Sequence, residues 1–122
     1  MTTTDVRPVR VLSAGSLKGD KVVDAAGEKL GTLEDLMIDL NRGSIAYAVL
    51  SVGGLFGMGD KLFAIPWSAF RVDTEEKCLV LNVNKELLKT APGFDKDNWP
   101  DFADQAWGVT VYNHYGAKPY WD

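Results

Sequence analysis

The sequence has little of the chemistry that sulfur and imidazole provide, because its 122 residues include one cysteine, Cys78, and one histidine, His114. A single cysteine cannot form a disulfide within the chain, and it excludes a cysteine-rich zinc site. A single histidine leaves no histidine pair to hold a metal ion. Cys78 lies in the apolar segment CLVLNV, so we predict that it is a small buried residue of the core.

Long apolar runs and excess positive charge are also missing. No stretch approaches the ~18 apolar residues of a membrane span, and the first ten residues, MTTTDVRPVR, lack the apolar centre of a signal peptide. The formal net charge of −4 argues against a broad surface for nucleic acid or anionic membranes. We therefore expect a cytoplasmic protein with no membrane span and no direct nucleic-acid binding.

What is present is the ordinary mixture of a soluble globular domain, with 46% hydrophobic and 25% charged residues. A chain of this length can form one domain around its own core. Short β-branched segments separated by glycine-containing turns recur along it, namely DKVVD, DKLFAIPW, AFRVD and CLVLNV. This spacing predicts a mainly β fold, a small antiparallel barrel or sandwich, with one strand that ends at Pro66.

Residues 27–54, GEKLGTLEDLMIDLNRGSIAYAVLSVGG, allow a helix or a strand in their first half. Four leucines fit helical spacing, whereas Leu36, Ile38 and Leu40 alternate as in a strand. The second half is β-branched and aromatic, and the turn NRGS precedes it, so we predict an antiparallel hairpin. The leucines of the first half change parity near Gly31 to Leu33, where we expect a bulge.

The predicted second strand of this hairpin is apolar on both sides. Ile45, Tyr47 and Val49 alternate with Ala46, Ala48, Leu50 and Val52, and a barrel interior can bury one of those sets. The other set needs a cover, which we expect to be the C-terminal segment or a second subunit.

The last third of the chain predicts helices. NKELLKTAPGF indicates one helical turn that ends before Pro92, and the remaining segment holds three of the four tryptophans and three of the four tyrosines. We predict that its helix is capped by Asp97 or Asn98, is kinked at Gly108 and ends at Gly116. Such an aromatic helix must lie against an apolar surface.

Taken together, GEKLGTLEDLMIDLNRGSIAYAVLSVGG, GDKLFAIPWSAFRVD and LVLNVNKELLKTAPGF resemble the PRC-barrel family, which includes barrels of the photosynthetic reaction-centre H subunit and of a ribosome maturation factor. The likeness covers roughly residues 17–94, between a lead-in at 1–16 and an extension at 95–122. The tail resembles that of short, stand-alone bacterial members.

The resemblance implies a partly open β-barrel of about six strands that serves in binding or assembly, followed here by an aromatic-rich C-terminal helix. Because the family has no common catalytic constellation, it implies no enzyme, no cofactor and no metal site. Two departures limit the analogy: this chain lacks the membrane helix of the reaction-centre subunit, and its ten polar leading residues cannot form the additional N-terminal domain of the ribosome factor.

Several motifs suggest binding sites but have structural explanations. GGLFGMGDK resembles a phosphate loop, but a strand follows it and Ser or Thr is missing after Lys61. Two groups of acidic residues suggest metal sites, but strand spacing explains the first group and helix capping explains the second. The tryptophans could stack on bases or sugars, but no Lys or Arg residues are interleaved with them, so we interpret them as core and interface residues. The acidic groups are Glu34, Asp35 and Asp39, and Asp95, Asp97, Asp101 and Asp104.

We expect a non-catalytic interaction module that forms a homodimer and contacts another, unknown protein. Small-ligand binding and an adaptor role in an RNA-processing or ribosome-related complex are the alternatives. The predicted interface consists of apolar loop residues and C-terminal aromatics, namely Leu55, Phe56, Met58, Trp107, Tyr112 and Tyr120.

Overall fold

The computed structural model describes residues 10–53 and 60–122. Within these residues the helices are α1 (Ala14–Leu17), α2 (Lys85–Lys89) and α3 (Gln105–Tyr115). The strands are β1 (Lys21–Val23), β2 (Lys29–Asp39), β3 (Ser44–Gly53), β4 (Asp60–Pro66), β5 (Phe70–Asp73), β6 (Cys78–Leu81) and β7 (Gly93–Phe94). A 3-10 turn, Trp67–Ala69, joins β4 to β5.

All seven strands belong to one sheet with the order β5-β6-β1-β2-β3-β4-β7. No pairing between the described residues joins the two outer strands, so the prediction of a mainly β, partly open barrel is confirmed. The pairing of β1 with β6 is parallel, in contrast to the expected all-antiparallel arrangement. The two strands are distant in sequence, and hairpin patterns do not indicate such a pairing. The short β7 extends the sheet beyond the expected six strands.

The predicted hairpin is formed by β2 and β3, which pair from Asp39 and Ser44 at the turn to Thr32 and Ser51. The register shifts between Leu33 and Asp35, so the bulge on this side of β2 lies at Glu34, just beyond the predicted position. Strand β4 ends at Pro66 as predicted, because proline has no N–H to continue the ladder.

The inner face of the curved sheet is filled by side chains from the strands and from the two short helices. This inner cluster comprises Leu17, Val22, Leu30, Leu33, Ala48, Leu50, Val52, Phe63, Ile65, Leu79, Leu81 and Leu88. Asn84 caps α2 by accepting a hydrogen bond from the Leu87 N–H, which brings Leu88 onto this cluster. Cys78 is buried, as predicted.

The outer face of β3 and β4 carries a second cluster, covered by α3 and the residues that follow it. This outer cluster comprises Ala46, Tyr47, Val49, Leu62, Ala64, Phe94, Val111 and Tyr112. Of the two covers expected for this face, the C-terminal segment or a second subunit, the structure shows the C-terminal segment. Ala46 was expected on the opposite face from Tyr47, but a second register shift, opposite Met37 and Ile38, places both residues in the outer cluster.

Helix α3 begins later than predicted. Its N-cap is Asp104, whose carboxylate accepts hydrogen bonds from the N–H groups of Ala106 and Trp107. The segment around Asp97 and Asn98 forms turns instead, since polar residues and Pro100 suit turns as well as a first helical turn. The predicted end at Gly116 is confirmed, with φ of 63° in the left-handed region.

Gly108 lies inside α3 and is buried against the side chain of Tyr47. A Cβ atom there would be 2.7 Å from the hydroxyl oxygen of Tyr47. The helix runs on through Gly108 to Tyr115, and the glycine gives Tyr47 room between the helix and β3. This contact explains the glycine by packing, and the kink at Gly108 stays a prediction.

Candidate functional site

A groove runs between the β2–β3 turn and the segment that leads into and out of α3. We call it the hairpin groove; it consists of two adjoining cavities of about 400 and 210 Å³. Both cavities are lined by Tyr47, Phe102, Ala103 and Tyr120. The larger one reaches Ile38 of the hairpin, and the smaller one reaches Trp121 near the end of the chain. The floor is therefore aromatic.

The hairpin tip, residues 38–43, forms one wall of the groove. The Asp39 carboxylate accepts hydrogen bonds from the main-chain N–H groups of Asn41 and Arg42, at 2.9 and 3.1 Å. The Arg42 N–H is the largest cause that lowers the pKa of Asp39. The Arg42 guanidinium pairs with Asp39 at 3.1 Å and also donates to the Trp121 carbonyl oxygen at 3.1 Å. Arg42 thus ties the end of the chain to the hairpin tip.

The opposite wall includes Asp104, and Asp101 precedes the wall in the same segment; both carboxylates organise the backbone there. Asp101 accepts a hydrogen bond from the Ala103 N–H at 2.9 Å, and Asp104 caps α3. Each of these hydrogen bonds ends on the Oδ1 atom. Asp104 makes this wall acidic, whereas the hairpin tip presents the Arg42 guanidinium.

Two large apolar side chains of the tip are exposed beside the groove. Leu40 is 89% exposed and Ile38 is 54% exposed. In the sequence, both residues belong to the alternating pattern of the strand, and this pattern does not indicate that their side chains are exposed. Their position immediately before the polar turn NRGS was the available signal, because strand residues next to a turn extend beyond the sheet's covered area.

The predicted interface residues are not gathered in one described patch. Leu55, Phe56 and Met58 lie outside the described residues. Trp107 and Tyr120 are partly buried and contact the Tyr47 ring, at centroid distances of 5.4 and 5.8 Å.

Tyr112 lies beneath this surface, since it is 2% exposed and its hydroxyl donates to the Ala46 carbonyl oxygen at 2.5 Å. Gly53 is the last residue of β3. It lies six residues from Tyr47 along the strand, a distance of ~20 Å. The C-terminal aromatics therefore lie toward the hairpin tip, at the other end of β3 from Gly53.

Three further sequence candidates have structural contacts. Asp35 accepts a hydrogen bond from the Leu36 N–H, and the His114 Nε2 donates to the Leu87 carbonyl oxygen at 2.8 Å, which links α3 to α2. Trp67 stacks on Phe70. In the part of the chain that the structure describes, no group of three or more acidic, histidine or cysteine side chains is placed to hold a metal ion.

Burial changes the pKa of three tyrosines where the helix packs on the sheet. Removal from water raises the pKa of Tyr47, Tyr112 and Tyr115, because the charged phenolate loses its hydration. The Tyr115 hydroxyl is buried and has no hydrogen-bond partner among the described residues. An unpaired buried hydroxyl destabilises the folded state.

We expect Tyr115→Phe to increase the free energy of unfolding by about 1 kcal/mol at pH 7, because it removes this unpaired hydroxyl. The advantage should grow above pH 10. There the unfolded tyrosine, with its ordinary pKa of about 10, loses a proton that the folded protein retains, so wild-type stability falls as pH rises. Urea unfolding at pH 7 and pH 11 measures both effects. An equal difference at the two pH values would contradict the explanation by burial.

Comparison with known proteins identifies the fold family. The family model of the PRC-barrel domain matches residues 10–88, more than half of the chain. The chain belongs to the PRC-barrel family. The groove thus combines the hairpin of a PRC barrel with a C-terminal segment beyond the matched region. No curated protein matches the chain.

Solved structures also resemble this PRC-barrel chain, and 36 chains match. One of them, from Pseudomonas aeruginosa, is described as a 16S ribosomal RNA processing protein, RimM, and shows 19% identity and a TM-score of 0.42. The similarity covers 62% of this chain and 45% of that chain, so this chain spans less than half of its length. Among the described helices, none combines the length and apolar character that crossing a bilayer requires.

Proposed function

We propose that this PRC-barrel chain is a non-catalytic protein-interaction module in the cytoplasm that forms a homodimer and contacts a further protein. The observation that carries the proposal is the exposed apolar hairpin tip beside an aromatic groove. Leu40 and Ile38 expose apolar area to water, whereas the other large apolar side chains of their hairpin are buried or half-buried. Contiguous exposed apolar surface of this kind is typical of protein contacts.

The cover that α3 provides leaves fewer places for the proposed contact between two copies. Because α3 covers the outer face of β3, that face needs no second subunit. Trp107 and Tyr120, at the edge of the outer cluster, are apolar groups that stay partly in contact with water. We therefore place the main contact at Trp107 and Tyr120, with Tyr112 supporting them from beneath.

Residues Leu55, Phe56 and Met58 remain part of the proposed interface as apolar groups of the β3–β4 connection. Since that connection begins at the far end of β3, it supplies a separate contact, suited to the further protein. The two contacts can then be tested independently by substitutions at each end of the strand.

We expect the 13.4 kDa chain to show an average mass that rises toward twice this value with concentration in sedimentation equilibrium. Apolar side chains that are exposed in one copy would then be shielded in the pair. Tyr120→Asp, which places a charge at the edge of the groove, should shift the equilibrium toward the monomer. Lys118→Asp is the control, because this exposed residue lies close in sequence but outside the groove lining. A constant monomer mass at all concentrations would refute self-association.

The second candidate function is small-molecule binding, which the volume of the groove favours. Its larger cavity, at about 400 Å³, lies within the ~300–1,000 Å³ typical of ligand sites, and its aromatic floor suits a flat apolar ligand. Screening of aromatic compounds by thermal unfolding tests this alternative. A melting shift that Phe102→Ala removes would support it.

A further inference from the structure

We propose that the hairpin tip of one copy inserts into the hairpin groove of a second copy, and that a two-fold axis makes the contact reciprocal. The inference rests on the self-association proposed above and specifies its partner and geometry. The occupant of the groove is Leu40, with Ile38 beside it, from the other subunit. Each dimer then contains two identical tip-in-groove contacts.

The shape of the surface supports this assignment. The projecting tip and the groove are neighbours on one face of the molecule, because Ile38, Asp39 and Asn41 of the hairpin themselves line the larger cavity. A two-fold rotation about an axis near the tip can place each tip over the groove of the other copy, as in an isologous interface. The contact would cover Leu40, which is 89% exposed in the single chain, and would fill an aromatic-floored cavity.

The same two-fold rotation brings opposite charges together, because the hairpin tip of one copy carries a cation and the opposite wall of the other copy is acidic. Arg42 uses one N–H group on Asp39 and another on the Trp121 carbonyl, and a guanidinium has five N–H donors, so three remain. The opposite wall offers Asp104, with Asp101 three residues before it in the chain, and the described hydrogen bonds of both carboxylates involve only Oδ1. The tip of one copy thus brings a cation to the acidic wall of the other. This pairing offsets the repulsion between two chains that each carry a net charge of −4.

The contact is tested first by charge insertion at the tip. Leu40→Asp should weaken the dimer by about 30-fold or more, the loss expected for a central interface residue. Its melting temperature as a monomer should stay close to that of the wild-type chain, because Leu40 lies outside both clusters. Val11→Asp is the matched control, since Val11 is 82% exposed and lies outside the groove lining, and it should leave the dimer intact.

Sedimentation equilibrium of the wild type and the two variants separates the possible outcomes. A wild-type chain that stays monomeric refutes the proposed self-association and this contact together. A wild-type dimer that persists unchanged in Leu40→Asp refutes the tip-in-groove contact alone and leaves the interaction module standing. That second result is also expected if a small molecule or an unrelated protein occupies the groove.

A cross-linking experiment tests the geometry directly. Leu40→Cys protein is mixed with Ala103→Cys protein, and a short bifunctional thiol reagent is added. Ala103 is an exposed residue that lines both cavities, and the native Cys78 is buried. A mixed cross-linked dimer supports insertion of the tip into the partner's groove. Its absence from a sample that sedimentation shows to be dimeric overturns the proposal.

Discussion

Replacing Tyr47 by alanine is expected to lower the free energy of unfolding by about 3–5 kcal/mol. Tyr47 is 1% exposed, and its ring contacts four other aromatic rings at centroid distances of 5.4 to 5.8 Å. These rings belong to Phe102, Trp107, Tyr112 and Tyr120. Truncation would leave a cavity where β3 meets the C-terminal segment, and it would remove the floor of the hairpin groove.

The matched control is Tyr47→Phe, which keeps the ring. Removal of the hydroxyl alone should change the stability by no more than about 1 kcal/mol, the size of one hydrogen-bonding group's net contribution. Urea unfolding followed by tryptophan fluorescence measures both variants, because three tryptophans lie in the C-terminal segment. Similar losses in the two variants would show that the hydroxyl, and not ring packing, is the important group.

Gly31→Ala is expected to destabilise the protein by about 3 kcal/mol, the upper part of the usual range for an overpacked site. A Cβ atom at Gly31 would overlap the main-chain carbonyl oxygen of Ser51 on β3. Main-chain atoms of a paired strand cannot move aside as the end of a side chain can. Strands β2 and β3 would have to separate near the Glu34 bulge, which would disturb the inner cluster around Leu33 and Leu50.

The control for this prediction is Gly15→Ala, since a Cβ at Gly15 meets no atom within 4 Å. Gly15 lies in α1, where alanine is favoured over glycine by ~1 kcal/mol in a helix interior. We therefore expect opposite signs for the two substitutions in the same urea experiment. Equal effects would mean that the general flexibility of glycine, and not the close approach to Ser51, explains Gly31.

The hairpin groove shows where inference from the sequence was incomplete. The sequence indicated that the aromatic segment must pack on the strands, and it named Trp107 and Tyr120 as surface groups. It did not indicate Phe102 or Arg42, because these residues acquire their role from partners distant along the chain. Arg42, for example, binds the carbonyl oxygen of Trp121, which lies 79 residues away.

The sequence by itself determined the mainly β class, the β2–β3 hairpin, the end of β4 at Pro66 and the end of α3 at Gly116. These features depend on local chemistry: period-two alternation, turn residues, the missing N–H of proline and the left-handed conformation of glycine. It also determined that a strand apolar on both sides needs two covers, because burial of apolar surface does not depend on which segment provides it.

Only the tertiary structure decided the parallel pairing of β1 with β6, the start of α3 at Asp104, the position of the bulges and the groove at the hairpin tip. The strand pairing, the bulges and the groove depend on contacts between residues far apart in sequence, whereas the start of α3 depends on which of several possible caps is used. Local patterns are compatible with several such arrangements, and close packing of the whole chain selects among them. Tyr47 is the clearest case. The local sequence indicates only that it is a strand residue, whereas in the fold its ring is surrounded by four other aromatic rings.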